Sequence, residues 1–343
     1  MEEFASAHQG SKGTGLASNP LHRYCADPDL VMIGDRWYLY CTEDGLAGWS
    51  SHAFYVYESG DLCHWTRRKI LDLDQVPWWH GRQGAWAPCL LVRQERCILY
   101  FVADGQIGQA VAPGPTGPFR VAQEPFIARG DYDCVPIDPS VFVDDDDIPY
   151  LLWGNGRAYL ARLSSDGMCL EDGSVRSAVP DNFREAITVC RRGDTYYASW
   201  SENDTRDPNY RIRWSNAPSL DGPWTAPEVL IQADRAKGIL ATGHHCITRV
   251  PGRDDWIVAY HRFARDGQGD GCHREIVFAP LDFADDGAMV QVRPQVGSYW
   301  YLARDQVTPR RWGGRRRRCA ERRPPSWSWD PQSWRTDGRR GPR

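Results

Sequence analysis

The run Ile137-Asp138-Pro139-Ser140-Val141-Phe142-Val143, the acidic turn over Asp144 to Asp147 and the following Pro149-Tyr150-Leu151-Leu152-Trp153 decide how the rest of the chain is read. Two apolar runs rich in β-branched and aromatic residues flank four aspartates, which spells a β-hairpin, because such residues fit a pleated surface and aspartate favours turns. The same plan occurs four more times. Ala26 to Ile33 (A-D-P-D-L-V-M-I) turns at Gly34 to Arg36 into Trp37 to Thr42, and Trp86 to Val92 (W-A-P-C-L-L-V) precedes Cys97 to Ala103. Glu185 to Cys190 (E-A-I-T-V-C) turns at Gly193-Asp194 into a run from Tyr196, and Gly243 to Val250 (G-H-H-C-I-T-R-V) leads to W-I-V-A-Y-H-R-F from Trp256. Twelve residues beyond Asp138, Glu185 and His244 stand Tyr150, Tyr197 and Trp256, which predicts one register for these three hairpins.

The starting points recur every roughly fifty to sixty residues, the size of a four-stranded propeller blade rather than of a hairpin alone. Ala53 to Ser59, Ile107 to Ala112, Ala158 to Leu163 and Tyr210 to Ser215 supply further strands, and helical periodicity is hardly visible. The expected fold is all-β, a five-bladed β-propeller of four-stranded antiparallel blades around a central axis. It would span residues 19–303, after an N-terminal extension at 1–18 and before an Arg-rich tail at 304–343 whose composition suits disorder. Innermost strands aim their first residues at the channel mouth. That geometry gathers Asp27, the Trp86 region, Asp138, Glu185 and His244, polar groups that make sense only around a wet pocket.

Composition narrows the function. Sixteen Trp and fifteen Tyr suit both β-sheet packing and stacking on sugar faces. The net charge of −4 hides an asymmetry: the tail from Arg304 holds 13 Arg against four acids, leaving the body at −13. An acidic body argues against nucleic acid as a partner. The eleven cysteines are odd in number and include no C-x-x-C, which fits a reducing compartment and gives no zinc signature. No basic start with an apolar run opens the chain and no eighteen apolar residues run together, so neither signal peptide nor membrane partner is expected, and the location reads as cytoplasmic.

Cleaving a glycosidic bond requires an acid for the leaving oxygen and a second carboxylate for water or carbon. Two of the three candidate acids sit in Asp-Pro pairs, ordinary turn initiators when met singly, as Asp207-Pro208 illustrates. In order, however, A-D-P-D at Ala26, W-A-P-C at Trp86, I-D-P-S-V-F at Ile137, E-A at Glu185 and G-H-H at Gly243 resemble the motifs of glycoside hydrolase family 43, from Asn19 to Val296. The resemblance implies Asp27 as general base, Glu185 as general acid and Asp138 as the carboxylate that orients the acid and raises its pKa. It implies an exo-acting, inverting hydrolase of arabinose- or xylose-containing plant-type oligo- or polysaccharides. An α-L-arabinofuranosidase comes first, with β-D-xylosidase or arabinan endo-1,5-α-L-arabinosidase as alternatives. Fructan-directed enzymes, whose motifs read N-D-P-N and R-D-P, fit less well.

Two departures stand out: Ala186-Ile187 follow Glu185 where the family shows Gly-Pro, and Cys89 replaces an aspartate. They keep a non-catalytic carbohydrate-binding propeller open as a reading from another class. By the same resemblance His244 would ligate a calcium or other divalent ion at the axis, with His245 on the opposite strand face, and no organic cofactor is implied. Arg274 would contact sugar hydroxyls, with Arg262 as competitor, and Trp86 would stack on the substrate ring.

Overall fold

Each apolar hairpin read from the sequence is the inner half of one small antiparallel sheet in a computed structural model, which describes residues 20–178 and 180–297. Both terminal segments expected from composition, 1–18 and 304–343, lie outside the described residues. Sheet one comprises β1 (Cys25–Ile33), β2 (Arg36–Glu43), β3 (Ala53–Ser59) and β4 (Thr66–Asp72), and sheet two β5 (Trp86–Arg93), β6 (Arg96–Ala103), β7 (Gln106–Ala112) and β8 (Arg120–Val121). Sheet three holds β9 (Ser140–Val143), β10 (Pro149–Trp153), β11 (Ala158–Arg162) and β12 (Arg176–Ala178); sheet four holds β13 (Glu185–Arg192), β14 (Thr195–Glu202), β15 (Arg211–Ala217) and β16 (Glu228–Ile231). Sheet five has β17 (Gly243–Arg249), β18 (Trp256–Phe263) and β19 (Arg274–Leu281), three strands among the described residues where four were expected. Every pairing is between sequence neighbours, the meander of a five-bladed propeller.

The core lies between blades, not within them. Phe54 and Tyr40 meet Leu90 and Phe101 between blades one and two, and Ile98 and Tyr100 meet Leu151 and Trp153 between two and three. Phe142 and Leu152 meet Val189 and Trp200, and Tyr197 and Trp214 meet Trp256 and Val258, joining three to four and four to five. Leu30, Trp37 and Leu39 pack on Ile257, Ile276 and Phe278, which closes the ring from blade one to blade five. Trp37, Trp153 and Trp200 are fully buried, so these tryptophans serve packing. No helix among the described residues is long and apolar enough to cross a membrane.

A shared backbone device aims the inner strands. The pairing slips between Ala26 and Asp29, Trp86 and Cys89, Glu185 and Thr188, and Gly243 and His245. At each slip one residue has left-handed φ: Asp27 (54°), Ala87 (41°), Ala186 (57°) and His244 (35°); Asp138 (56°) does the same just ahead of β9. A bulge re-aims a side chain at the end of a ladder, and non-glycine residues accept this conformation only where surroundings enforce it. The device also corrects the register inferred from spacing. Ala186, not Glu185, is the counterpart of Asp138 and His244, and Glu185 stands one place earlier, level with Ala26, Trp86 and Gly243.

Candidate active site

The axial ends of β1, β13 and β17 and the turn before β9 bring Asp27, Asp138, Glu185 and His244 together. Asp27, Asp138 and Glu185 are 8%, 7% and 9% exposed, so none faces outward. Asp27, Asp138 and His244 line one axial cavity with Ala87 and Ala186. Glu185 adjoins it through Ala186, whose amide donates to the Asp138 carboxyl.

The two outer carboxyls have opposite surroundings. Thr42 Oγ1 donates to Asp27 Oδ2 at 2.7 Å, and Arg274 Nη1 donates to Oδ1 at 3.2 Å. His244 Nδ1 and His261 Nδ1 each lie 3.2 Å from that oxygen. Burial pushes the Asp27 pKa up, but the Arg274 charge leads the influences that outweigh it and hold the carboxyl well below its usual range. Glu185 meets its cation, Arg184, only at longer range. Burial raises it to about 7, against the lowering influence of the Tyr210 hydrogen bond and of Arg184, whose Nε stays 3.8 Å away. Asp138 is likewise pushed well up by burial and by the neighbouring Glu185. Carboxyls that oppose one another's ionisation titrate as a pair, so Asp138 and Glu185 together retain a proton near neutrality while Asp27 is ionised.

Several partners were invisible to motif reading. Tyr210 Oη donates to Glu185 Oε1 at 2.9 Å, and Asn155 Nδ2 donates to Oε2 at 2.6 Å. His261 accepts the Asp27 amide at 3.3 Å through Nδ1; burial drives its pKa down to about 3, keeping it neutral. Asp44 takes Arg274 Nε at 2.7 Å. Only the polar pair in the strand run Y-H-R-F carried a signal, and Tyr210, Asn155 and Asp44 sit in unremarked loop and strand positions.

Three residues expected to serve substrate or metal are placed differently. Arg274 is 3% exposed and spends its guanidinium on Asp44, Asp27 and Thr205, so it is a charge partner of Asp27 instead of a free fork for sugar hydroxyls. The competitor Arg262 is wholly buried and binds Glu275 and the carbonyls of Gln295 and Val296, a structural tie. Trp86 is half-buried, edge-on to Trp49 with centroids 6.5 Å apart, and its Nε1 donates to Trp49 O at 2.7 Å. One loop away, Arg206 lies over the Trp49 ring at 5.8 Å and forks onto Asp204, which also accepts from Arg184 at 3.1 Å.

A metal at the axis finds poor ligands. His244 points Nδ1 toward Asp27 and, at 3.9 Å, toward Asp138. The cavity has about 20 Å³ and its remaining polar wall is Asp29, Ser140, His245 and the thiols of Cys89 and Cys246. That volume suits a single water. Calcium takes six or more oxygens, and thiols and imidazoles suit softer ions. Asp29, moreover, is pushed up to about 6 by burial, and its Oδ2 accepts the Leu90 amide at 2.8 Å. The oxygen donors here are the Asp27, Asp29 and Asp138 carboxyls and the Ser140 hydroxyl, and a cavity of that size has no room for the waters that would have to complete a calcium shell around His244. The Leu90 hydrogen bond ties a carboxyl from blade one to the blade-two strand, next to Cys89.

Comparison with known proteins agrees with this geometry. Residues 17–289 match the family model Glycosyl hydrolases family 43. An arabinoxylan arabinofuranohydrolase of Bacillus subtilis (strain 168) is 25% identical over 296 residues, 71% of this chain, and the chain spans 57% of that relative's length. A GH43_1 enzyme of Xanthomonas citri, solved with xylotriose, superposes with a TM-score of 0.67 at 27% identity over 80% of this chain and 92% of that one. A β-xylosidase/α-arabinofuranosidase from a compost microbial metagenome, solved with xylotriose in a calcium-free form, shares the fold with a TM-score of 0.68 at 23% identity, covering 80% of this chain and 96% of that one.

Proposed function

The chain belongs to glycosyl hydrolases family 43, and from that premise we propose that it hydrolyses terminal pentosyl bonds of arabinoxylan-type oligo- or polysaccharides, as an α-L-arabinofuranosidase before a β-D-xylosidase. One observation carries the reading: Asp27 is held ionised while Glu185, beside the same cavity, is held protonated up to about pH 7. Paired carboxyls pushed apart in this way are what acid and base roles require.

Glu185 gives its proton to the leaving oxygen as the bond from that oxygen to the anomeric carbon breaks. A water attacks the same carbon and loses its proton to Asp27. Asp138, coupled to Glu185, keeps a proton in the pair, and Arg274 keeps Asp27 charged until it accepts one. Attack by water in one displacement inverts the anomeric configuration.

Replacing Asp27 by Asn and Glu185 by Gln tests the assignment. Each should lower turnover of nitrophenyl α-L-arabinofuranoside or β-D-xyloside by about 10²- to 10⁴-fold. The ratio of the two substrates in the unaltered protein decides the sugar, and unchanged turnover in either variant overturns the reading.

A further inference from the structure

Tyr210 is a wholly buried group that donates to Glu185, and its position is explained by a glycine in another blade. It ends the loop before β15, with its amide donating to Asp207 O at 2.9 Å, and its ring is 0% exposed. One edge reaches Glu185 Oε1 at 2.9 Å, and the ring face stacks on His261 at 5.6 Å with planes 15° apart. His261 in turn lies 3.2 Å from Asp27 Oδ1. The phenol is thus wedged between the surroundings of the two carboxyls with opposite charge states.

Gly243 makes the room. A methyl there would fall 1.9 Å from Tyr210 Cε1 and 2.1 Å from Cδ1, far inside contact distance. Gly243 is absent from the left-handed residues, so its backbone does not need glycine. At the same place in the other blades stand Ala26, Trp86 and Glu185, all with side chains. Space for the phenol is the remaining reason.

We propose that Tyr210 is a positioning residue that sets the ionisation of Glu185, and that Gly243 is the cradle that admits it. A hydroxyl donating to a buried carboxylate favours the anion, so Tyr210 keeps Glu185 from becoming too weak an acid to give up its proton. Asn155 fixes the second oxygen, so the carboxyl plane is held from both sides. The protonated acid meets the same phenol with roles reversed, Glu185 donating to the phenol oxygen.

The proposal rests on Glu185 as the acid, and the pH profile of kcat/KM tests it in the full chain. Tyr210→Phe keeps the ring and should move the basic limb upward by about one pH unit while lowering the plateau. Gly243→Ala should move that limb in the same direction, and the double variant should add little to either. The plateau loss should be larger for an unactivated xylo- or arabino-oligosaccharide than for a dinitrophenyl glycoside, whose leaving group needs no proton. A lower plateau with an unmoved limb, or a limb moving down, overturns the role given to Tyr210. Glu185→Gln, assayed on both substrates, separates the two failures: if it loses no more on the oligosaccharide than on the dinitrophenyl glycoside, the acid assignment itself is wrong.

Discussion

Arg274 donates to Asp27 Oδ1 at 3.2 Å from the last strand of blade five, 247 residues away in sequence. Both groups are buried, so the contact is poorly screened by solvent, and its removal would strand a charged carboxyl. Opposite charge at this range lowers a carboxyl pKa by about one to three units. Arg274→Gln should therefore raise the pKa of Asp27, and the acid limb of the pH profile should move to higher pH as the base protonates sooner. An acid limb that stays in place in this variant would show that Asp27 is not the titrating base.

Asp29 makes a prediction about stability. Its folded pKa, about 6, lies above the ordinary 3.8, so the protonated form is favoured in the fold. Its contribution is fully present below the unfolded pKa and is lost as pH rises from about 4 through 6. The shift corresponds to on the order of 3 kcal/mol, an upper bound if the site relaxes. Asp29→Asn keeps an acceptor for the Leu90 amide and should flatten the slope of denaturant stability between pH 4 and 7, raising stability at pH 8. Equal slopes in the two proteins would place the carboxyl in a less costly environment than its burial indicates.

The small axial cavity, with room for a single water, predicts indifference to calcium. Dialysis against a chelator, followed by calcium titration, should leave both kcat/KM and Tm unchanged within measurement. A loss of activity that calcium restores would mean that water ligands complete a shell around His244 that the protein donors do not suggest.

The fold was legible because its signal repeats. Five apolar hairpins with charged turns stand out, and a propeller built from them brings the starts of its inner strands, with Asp27, Asp138 and Glu185, to one axis. What could not be read was the bulge. Spacing alone made Glu185 equivalent to Asp138, whereas φ at Ala186 shows that a left-handed residue, not a carboxyl, is what repeats. The sequence marks Arg274 but not its pairing with Asp27, because burial and the presence of Asp44 are long-range facts. Tyr210 reads only as the start of a strand run: its meaning for the site lies in a missing methyl at Gly243, and absences carry no pattern until neighbours are known.

The recurring left-handed position separates two things that are usually built together. Carboxylates occupy it in blades one and three, an imidazole in blade five, and bare methyls in blades two and four at Ala87 and Ala186. The backbone has already met the strain of presenting something inward at all five places. Two sockets are therefore blank, and new chemistry at the hub would need only a different side chain in a conformation the chain already adopts.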